Sequence, residues 1–180
     1  MSRSTLVKGF GLFLLGFGLI VLSGSDTLLA DNKQNIEDAK KGVETLKKSK
    51  NAKERAEVIA KLGKFGQDGL FKHVEAAIPQ IIEALDDKDD KVRAAAAYAI
   101  GQIGPDDPEE VVKKLTALAK DDKEEAVKTN ALKGLAELGD KAKSASKPLR
   151  ELKKAETDQK GKFAKQIDMV LKAIDPKPKK

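Results

Sequence analysis

The chain has 180 residues, 36% of them charged and only 4% aromatic, with no cysteine and a formal net charge of +6. Without cysteine there are no disulfides, thiolate metal ligands or cysteine nucleophiles, so the chain folds on packing alone. The apolar residues are mostly Ala, Leu, Val and Ile, a composition that favours small-residue helix packing over an aromatic-rich sheet.

The N-terminus reads first as an export signal. Arg3 and Lys8 precede an uncharged run from Gly9 to Leu22, and small and polar residues continue as far as Ala30. A basic region, a short apolar region and a small residue at the cut site define a secretory signal peptide, here residues 1–30, with Ser25 as the alternative end. The 14-residue run is shorter than the roughly 20 residues that span a bilayer, which argues against a retained anchor. Cleavage would leave a periplasmic or extracellular chain with 33 basic and 28 acidic residues, net +5. With both signs interspersed, that chain carries no nucleic-acid stripe.

Beyond the signal, helical stripes alternate with turns. Ile36, Val43 and Leu46 form the first stripe. Glu54–Gly66, Val92–Gly104, Val127–Gly139 and Phe163–Asp175 then align at offsets of 38, 35 and 36 residues. A near-constant period of this size marks a stacked repeat. Three aligned sets of apolar positions recur at steps of three and four: Val58, Ala96, Ala131, Ile167; Leu62, Ile100, Leu135, Leu171; and Phe65, Ile103, Leu138, Ile174. That spacing puts them on one helix face.

Between the copies run companion stripes: Val74, Ile78, Ile82 and Leu85; Val111, Leu115 and Leu118; Leu149 and Leu152. Each repeat is thus expected to be a helical hairpin. The stretch from Gly104 to Glu110 predicts Asp107 as an N-cap, Pro108 at the first helical position and Gly104 as the C-cap of the preceding helix. The alanines Ala94, Ala96 and Ala97 predict close helix approach, and Gly101 and Gly104 are expected to thin and then stop that helix.

The stretch Asp89–Gly104 resembles a HEAT repeat of the short kind also called PBS-lyase HEAT-like, and the resemblance extends over about residues 34 to 175. It implies an all-α, right-handed solenoid of about four hairpins over residues 31–174, ending in a basic flexible tail, residues 175–180. It also implies that Arg55, Arg93 and Lys128 pair with acidic neighbours in the adjacent turn, as a ladder between repeats. Some relatives of this kind hold iron with His-Glu pairs or act on bilins. This chain has no His-Glu dipeptide, Cys or Trp, so no enzyme activity and no cofactor are expected.

The other candidate chemistries fail on composition. His73 is the single histidine and lacks partners for a metal or a proton relay. A calcium loop counted from Asp86 would need Gly and Glu where Lys91 and Ala97 stand. Aromatics for stacking single-stranded nucleic acid are reduced, after the signal, to Phe65, Phe71, Phe163 and Tyr98. What remains is the face opposite the apolar stripe: Glu57 and Lys64, Tyr98 and Gln102, Asn130, Lys133 and Glu137, Gln166 and Met169. The resemblance places this row on the concave surface, where a protein partner would bind. The expectation is an exported, non-enzymatic scaffold. A membrane-tethered envelope scaffold with its N-terminal helix retained, and a cofactor-binding or lyase-type protein, are the alternatives.

Overall fold

A computed structural model describes the backbone of residues 24–158 and 160–176 and the side chains from residue 33 onward. The apolar run Gly9–Leu22 and the last four residues of the basic tail lie outside these residues. Helices appear in the order α1 (Gly24–Lys48), α2 (Ala52–Gln67), α3 (Phe71–Val74), α4 (Ile78–Ala84), α5 (Asp90–Ile103), α6 (Glu109–Asp121), α7 (Glu125–Leu138), α8 (Ser146–Ala155) and α9 (Lys162–Ile174). Among the described residues there is no strand.

These helices pair into four hairpins: α1 with α2, α3–α4 with α5, α6 with α7, and α8 with α9. The second helices stack side by side in the order α2, α5, α7, α9, and the first helices form the other layer. Between the layers lies one core that includes Val43, Leu46, Ile59, Leu62, Val74, Ile81, Ile100, Leu115, Leu135, Leu149, Ile167 and Ile174, all buried. The aligned apolar positions are buried except for Val58, Phe65 and Leu171, which are half-buried against the core.

The second hairpin departs from the expected stripe for a local reason. Its first helix is broken by a tight 3-10 turn at Glu75–Ala77, which advances the chain by three residues per turn and shifts the phase of α4. Ile81 and Ala84 are therefore buried, while Ile78 and Ile82 are only half-buried.

Helix ends obey the turn residues. Asp89 caps α5, its Oδ1 accepting the N–H groups of Lys91 and Val92, and Asn51 caps α2 in the same way through Glu54. Gly104 ends α5 with φ +66°, a left-handed conformation that glycine adopts without strain. At α6 the expected cap moves by one residue. Pro108 is itself the N-cap, and Asp107 accepts the N–H of Glu109 at 3.4 Å.

Gly101 does not thin a helix end as expected; it allows α5 to cross α7 backbone to backbone. A Cβ at Gly101 would sit 2.5 Å from the Cα of Gly134, and one at Gly134 would overlap the carbonyl of Ala97. Gly63 meets Ala99 in the same way where α2 crosses α5, with 2.7 Å from a built Cβ to the Ala99 Cα. Ala97 and Ala99 thus supply the floor on which Gly134 and Gly63 rest.

Two arginines tie successive hairpins together. Arg55 on α2 donates to Asp87, in the turn before α5, at 2.6 Å. Arg93 on α5 donates to both oxygens of Asp122, in the turn before α7, and also to the carbonyls of Asp87 and Lys88. The acidic clusters are therefore helix caps and ladder partners. Lys128, the third expected rung, has no ion pair among the described residues. The sequence explains the break, because the third position before the start of the next second helix holds Asp87, Asp122 and then Gln159.

Candidate interaction groove

The second helices leave one row of side chains uncovered by the core, and its centre is a shallow groove of about 350 Å³ where α2, α5 and α7 meet. Its floor is alanine: Ala60 from α2, and Ala94, Ala95 and Ala99 from α5. Its edges are polar: Lys64 and Gln67 from α2, Tyr98 and Gln102 from α5, and Asn130 from α7. A floor without side-chain bulk between polar edges can take an apolar group while amides satisfy the polar atoms beside it.

Tyr98 is the organising residue. Its hydroxyl donates to Glu137 Oε1 at 3.3 Å, and the Lys133 ammonium lies 5.8 Å from the ring centroid. Both partners belong to α7, so the ring is held at its π face and at its hydroxyl by one neighbouring helix. Burial, with the Glu137 charge and hydrogen bond added, pushes the phenol pKa above its ordinary value. On the other side of the groove, Gln102 donates to Gln67 at 3.0 Å and bridges α5 to α2.

Of the nine residues expected on this face, Lys64, Tyr98, Gln102 and Asn130 border the groove directly, and Lys133 and Glu137 join it through Tyr98. Gln166 lies further along, where it accepts a hydrogen bond from Thr129 at 3.4 Å. Glu57 borders a separate groove between α1 and α2, with Asp38 and Lys41. Met169 stands at the end of the stack, 63% exposed. Gln67 and the alanine floor were missed by sequence reasoning. Gln67 falls just past the aligned copy Glu54–Gly66, and the alanines carry no polar signal.

His73 is half-buried on the short α3, and among the described residues no group of three His, Asp or Glu side chains could hold a metal ion. No described helix is long and apolar enough to cross a membrane.

A two-layer stack of helical hairpins with an uncovered inner row defines an α-solenoid. The family model for HEAT repeats matches residues 40–136 and, in a second overlapping match, residues 79–164. The chain belongs to the HEAT repeat family, whose members commonly mediate protein–protein interaction and are generally non-enzymatic scaffolds. No curated protein matches the chain.

Proposed function

We propose that this protein is an exported, non-enzymatic binding module that holds a protein partner in the groove centred on Tyr98. The observation that carries the reading is the preorganised tyrosine. Its ring is fixed by Glu137 and Lys133 before any partner arrives, so little side-chain entropy is lost on binding. Aromatic anchors flanked by small residues are the kind of position where binding energy concentrates. The groove is short, which suits one loop or segment of a partner and a moderate affinity.

The test is capture from an envelope extract by immobilised protein, run beside a Tyr98→Ala, Lys133→Glu double variant of equal helicity. A protein held by the native chain and lost by the variant is the expected result. Equal capture by both overturns the placement of the site on this groove.

Export belongs to the same proposal, with the membrane tether as its alternative. The helix α1 runs unbroken from Gly24 through Ala30 to Lys48, so the expected cut site lies inside helical backbone. The mass of the protein purified from its own cells separates the two: a chain beginning at Asp31 supports export with cleavage, and one retaining residues 1–30 supports the tether.

A further inference from the structure

Three joints link the four hairpins, and they are not built alike. In a stack each hairpin is held by its neighbours alone, so the strength of a joint sets the freedom of what lies beyond it. At the first joint Arg55 donates to Asp87 and Gln102 to Gln67. Gly63 and Gly66 bring α2 against the α5 backbone, a built Cβ lying 2.7 Å from the Ala99 Cα at the one and 2.9 Å from the Ile103 Cα at the other. At the second joint Arg93 holds both oxygens of Asp122, Tyr98 donates to Glu137 and Lys114 to Asp86, while Gly134 crosses on the carbonyl of Ala97.

The third joint, between α6–α7 and α8–α9, has almost none of this. Among the described residues one hydrogen bond crosses it, from the Thr129 hydroxyl to Gln166 at 3.4 Å, which is long for a hydroxyl donor. Lys128 aligns with Arg55 and Arg93, and it makes no ion pair among the described residues where those two do. Val170 aligns with Gly134 and is buried. A single methyl group at Gly134 would overlap the Ala97 carbonyl, so a branched side chain at the equivalent place holds the α7 and α9 backbones further apart. Ser146, the first residue of α8, is buried and its hydroxyl has no hydrogen-bond partner among the described residues, which penalises the docked state. What holds the joint is apolar contact, through Leu149, Ile167, Val170 and Ile174 in the shared core.

The last hairpin is nonetheless well tied to itself. The Lys153 ammonium on α8 reaches both oxygens of Asp168 on α9 at 2.7 Å, and Arg150 pairs with Asp175, the C-cap of α9, at 2.7 Å. The segment that leads into it is tied the other way. Lys141 donates to the carbonyls of Gly104 and Pro105 at 3.2 Å each, and the chain then kinks at Ala142, with φ −94° and ψ 16°. We propose that residues 142–146 are a hinge on which α8–α9 swings as one body while the first three hairpins stay locked. The groove around Tyr98 is lined by α2, α5 and α7 alone, whereas Gln166 and Met169 travel with the moving hairpin. The inner row is therefore rigid at its centre and adjustable at its end.

The absence of cysteine lets pairs of spin labels be placed without background. Lys53, Lys91, Ala126 and Lys162 are equivalent in the repeat alignment and all exposed. In the full chain, labels at Lys53→Cys and Ala126→Cys span the first two joints, and labels at Lys91→Cys and Lys162→Cys span the second and third. Distances read by pulsed electron spin resonance are expected to be narrowly distributed for the first pair and broader or two-peaked for the second. Adding Lys128→Arg and Gln159→Asp to the second pair writes in the missing rung and narrows its distribution. Hydrogen exchange separates swinging from unfolding: the amides of α8 and α9 stay protected in the native chain. Equal widths for the two pairs, no narrowing by the rung, or α9 amides that exchange as freely as an unfolded chain overturns the proposal. None of these readouts involves a partner, so the hinge is tested apart from the Tyr98 groove.

Discussion

Arg93 holds both carboxylate oxygens of Asp122, a residue 29 positions further along the chain and in the next hairpin: Nε donates to Oδ2 at 2.8 Å and Nη2 to Oδ1 at 3.1 Å. Side-chain exposures of 11% and 6% make this a shielded pair, and removal of one partner strands the other. Asp122→Ala is expected to cost about 3 kcal/mol in urea unfolding, and pairing it with Arg93→Met is expected to recover much of that loss. An additive double variant sinks the idea that the two residues act as one unit.

The same pair sets an acid limit. Burial pushes the Asp122 carboxyl pKa up, but the Arg93 hydrogen bond, the Glu124 N–H and nearby positive charge outweigh it, and the net shift is below the ordinary aspartate value. A carboxyl lowered in the folded state stabilises the fold fully above its unfolded value, and that contribution disappears as pH falls through the folded one. Stability measured down through the acid range should fall less steeply in Asp122→Asn than in the native chain. Parallel curves would place the acid limit on other carboxylates.

Gly134 and Gly42 are both helical glycines with opposite expectations. A methyl group at Gly134 meets the Ala97 backbone, which cannot yield without moving α5, whereas one at Gly42 meets the Leu62 side chain at 3.1 Å, which can turn aside. Alanine gains about 1 kcal/mol over glycine in a helix interior, and overpacking against backbone costs about 1–3 kcal/mol or more. Gly134→Ala should therefore lower the unfolding midpoint, and Gly42→Ala should leave it unchanged or raise it. A stabilised Gly134→Ala would mean that the α5–α7 crossing is loose.

The acidic starts of the second helices in the two middle hairpins differ in kind. Asp89 receives two backbone N–H groups, while Glu124 occupies the equivalent place before α7 and makes no side-chain cap bond. Loss of a capping side chain costs about 1 kcal/mol. Asp89→Ala should show that cost and Glu124→Ala almost none, by urea unfolding of each variant; equal costs would assign both to charge near a helix terminus.

How much of this was legible in advance depends on whether a residue acts along its own helix or across to another. Apolar positions such as Leu62, Ile100 and Leu135 announce themselves by spacing, because burial tracks helix periodicity. The rungs at Arg55 and Arg93 were legible only through family resemblance, and the missing rung at Lys128 needed a known helix start at Lys162 to place Gln159. Gly101 was misread because a glycine near a helix end looks like a terminator, and only the arrival of Gly134 from further along the chain reveals a crossing. The groove was half legible. Tyr98 and Gln102 stand out as polar residues in an apolar helix, but Gln67 enters it through a contact between helices that no local pattern encodes.

Tyr98 offers the cleanest readout, since it is the single tyrosine of the chain and there is no tryptophan. Its phenol is held above the ordinary tyrosine value first by burial and then by Glu137, so alkaline titration monitored by ultraviolet absorbance reports one group. In Glu137→Gln the midpoint should move down toward the ordinary value without reaching it, because burial remains. A raised folded value also means that the stabilisation is complete below the unfolded phenol value and is lost as pH rises through the folded one. Tyr98→Phe should therefore resist alkaline unfolding better than the native chain, with its groove contacts to Lys133 preserved. A bound partner that covers the ring should push the midpoint higher still. A midpoint that stays put on saturation with a captured partner would show that the ring remains uncovered, and would move the binding site away from the groove.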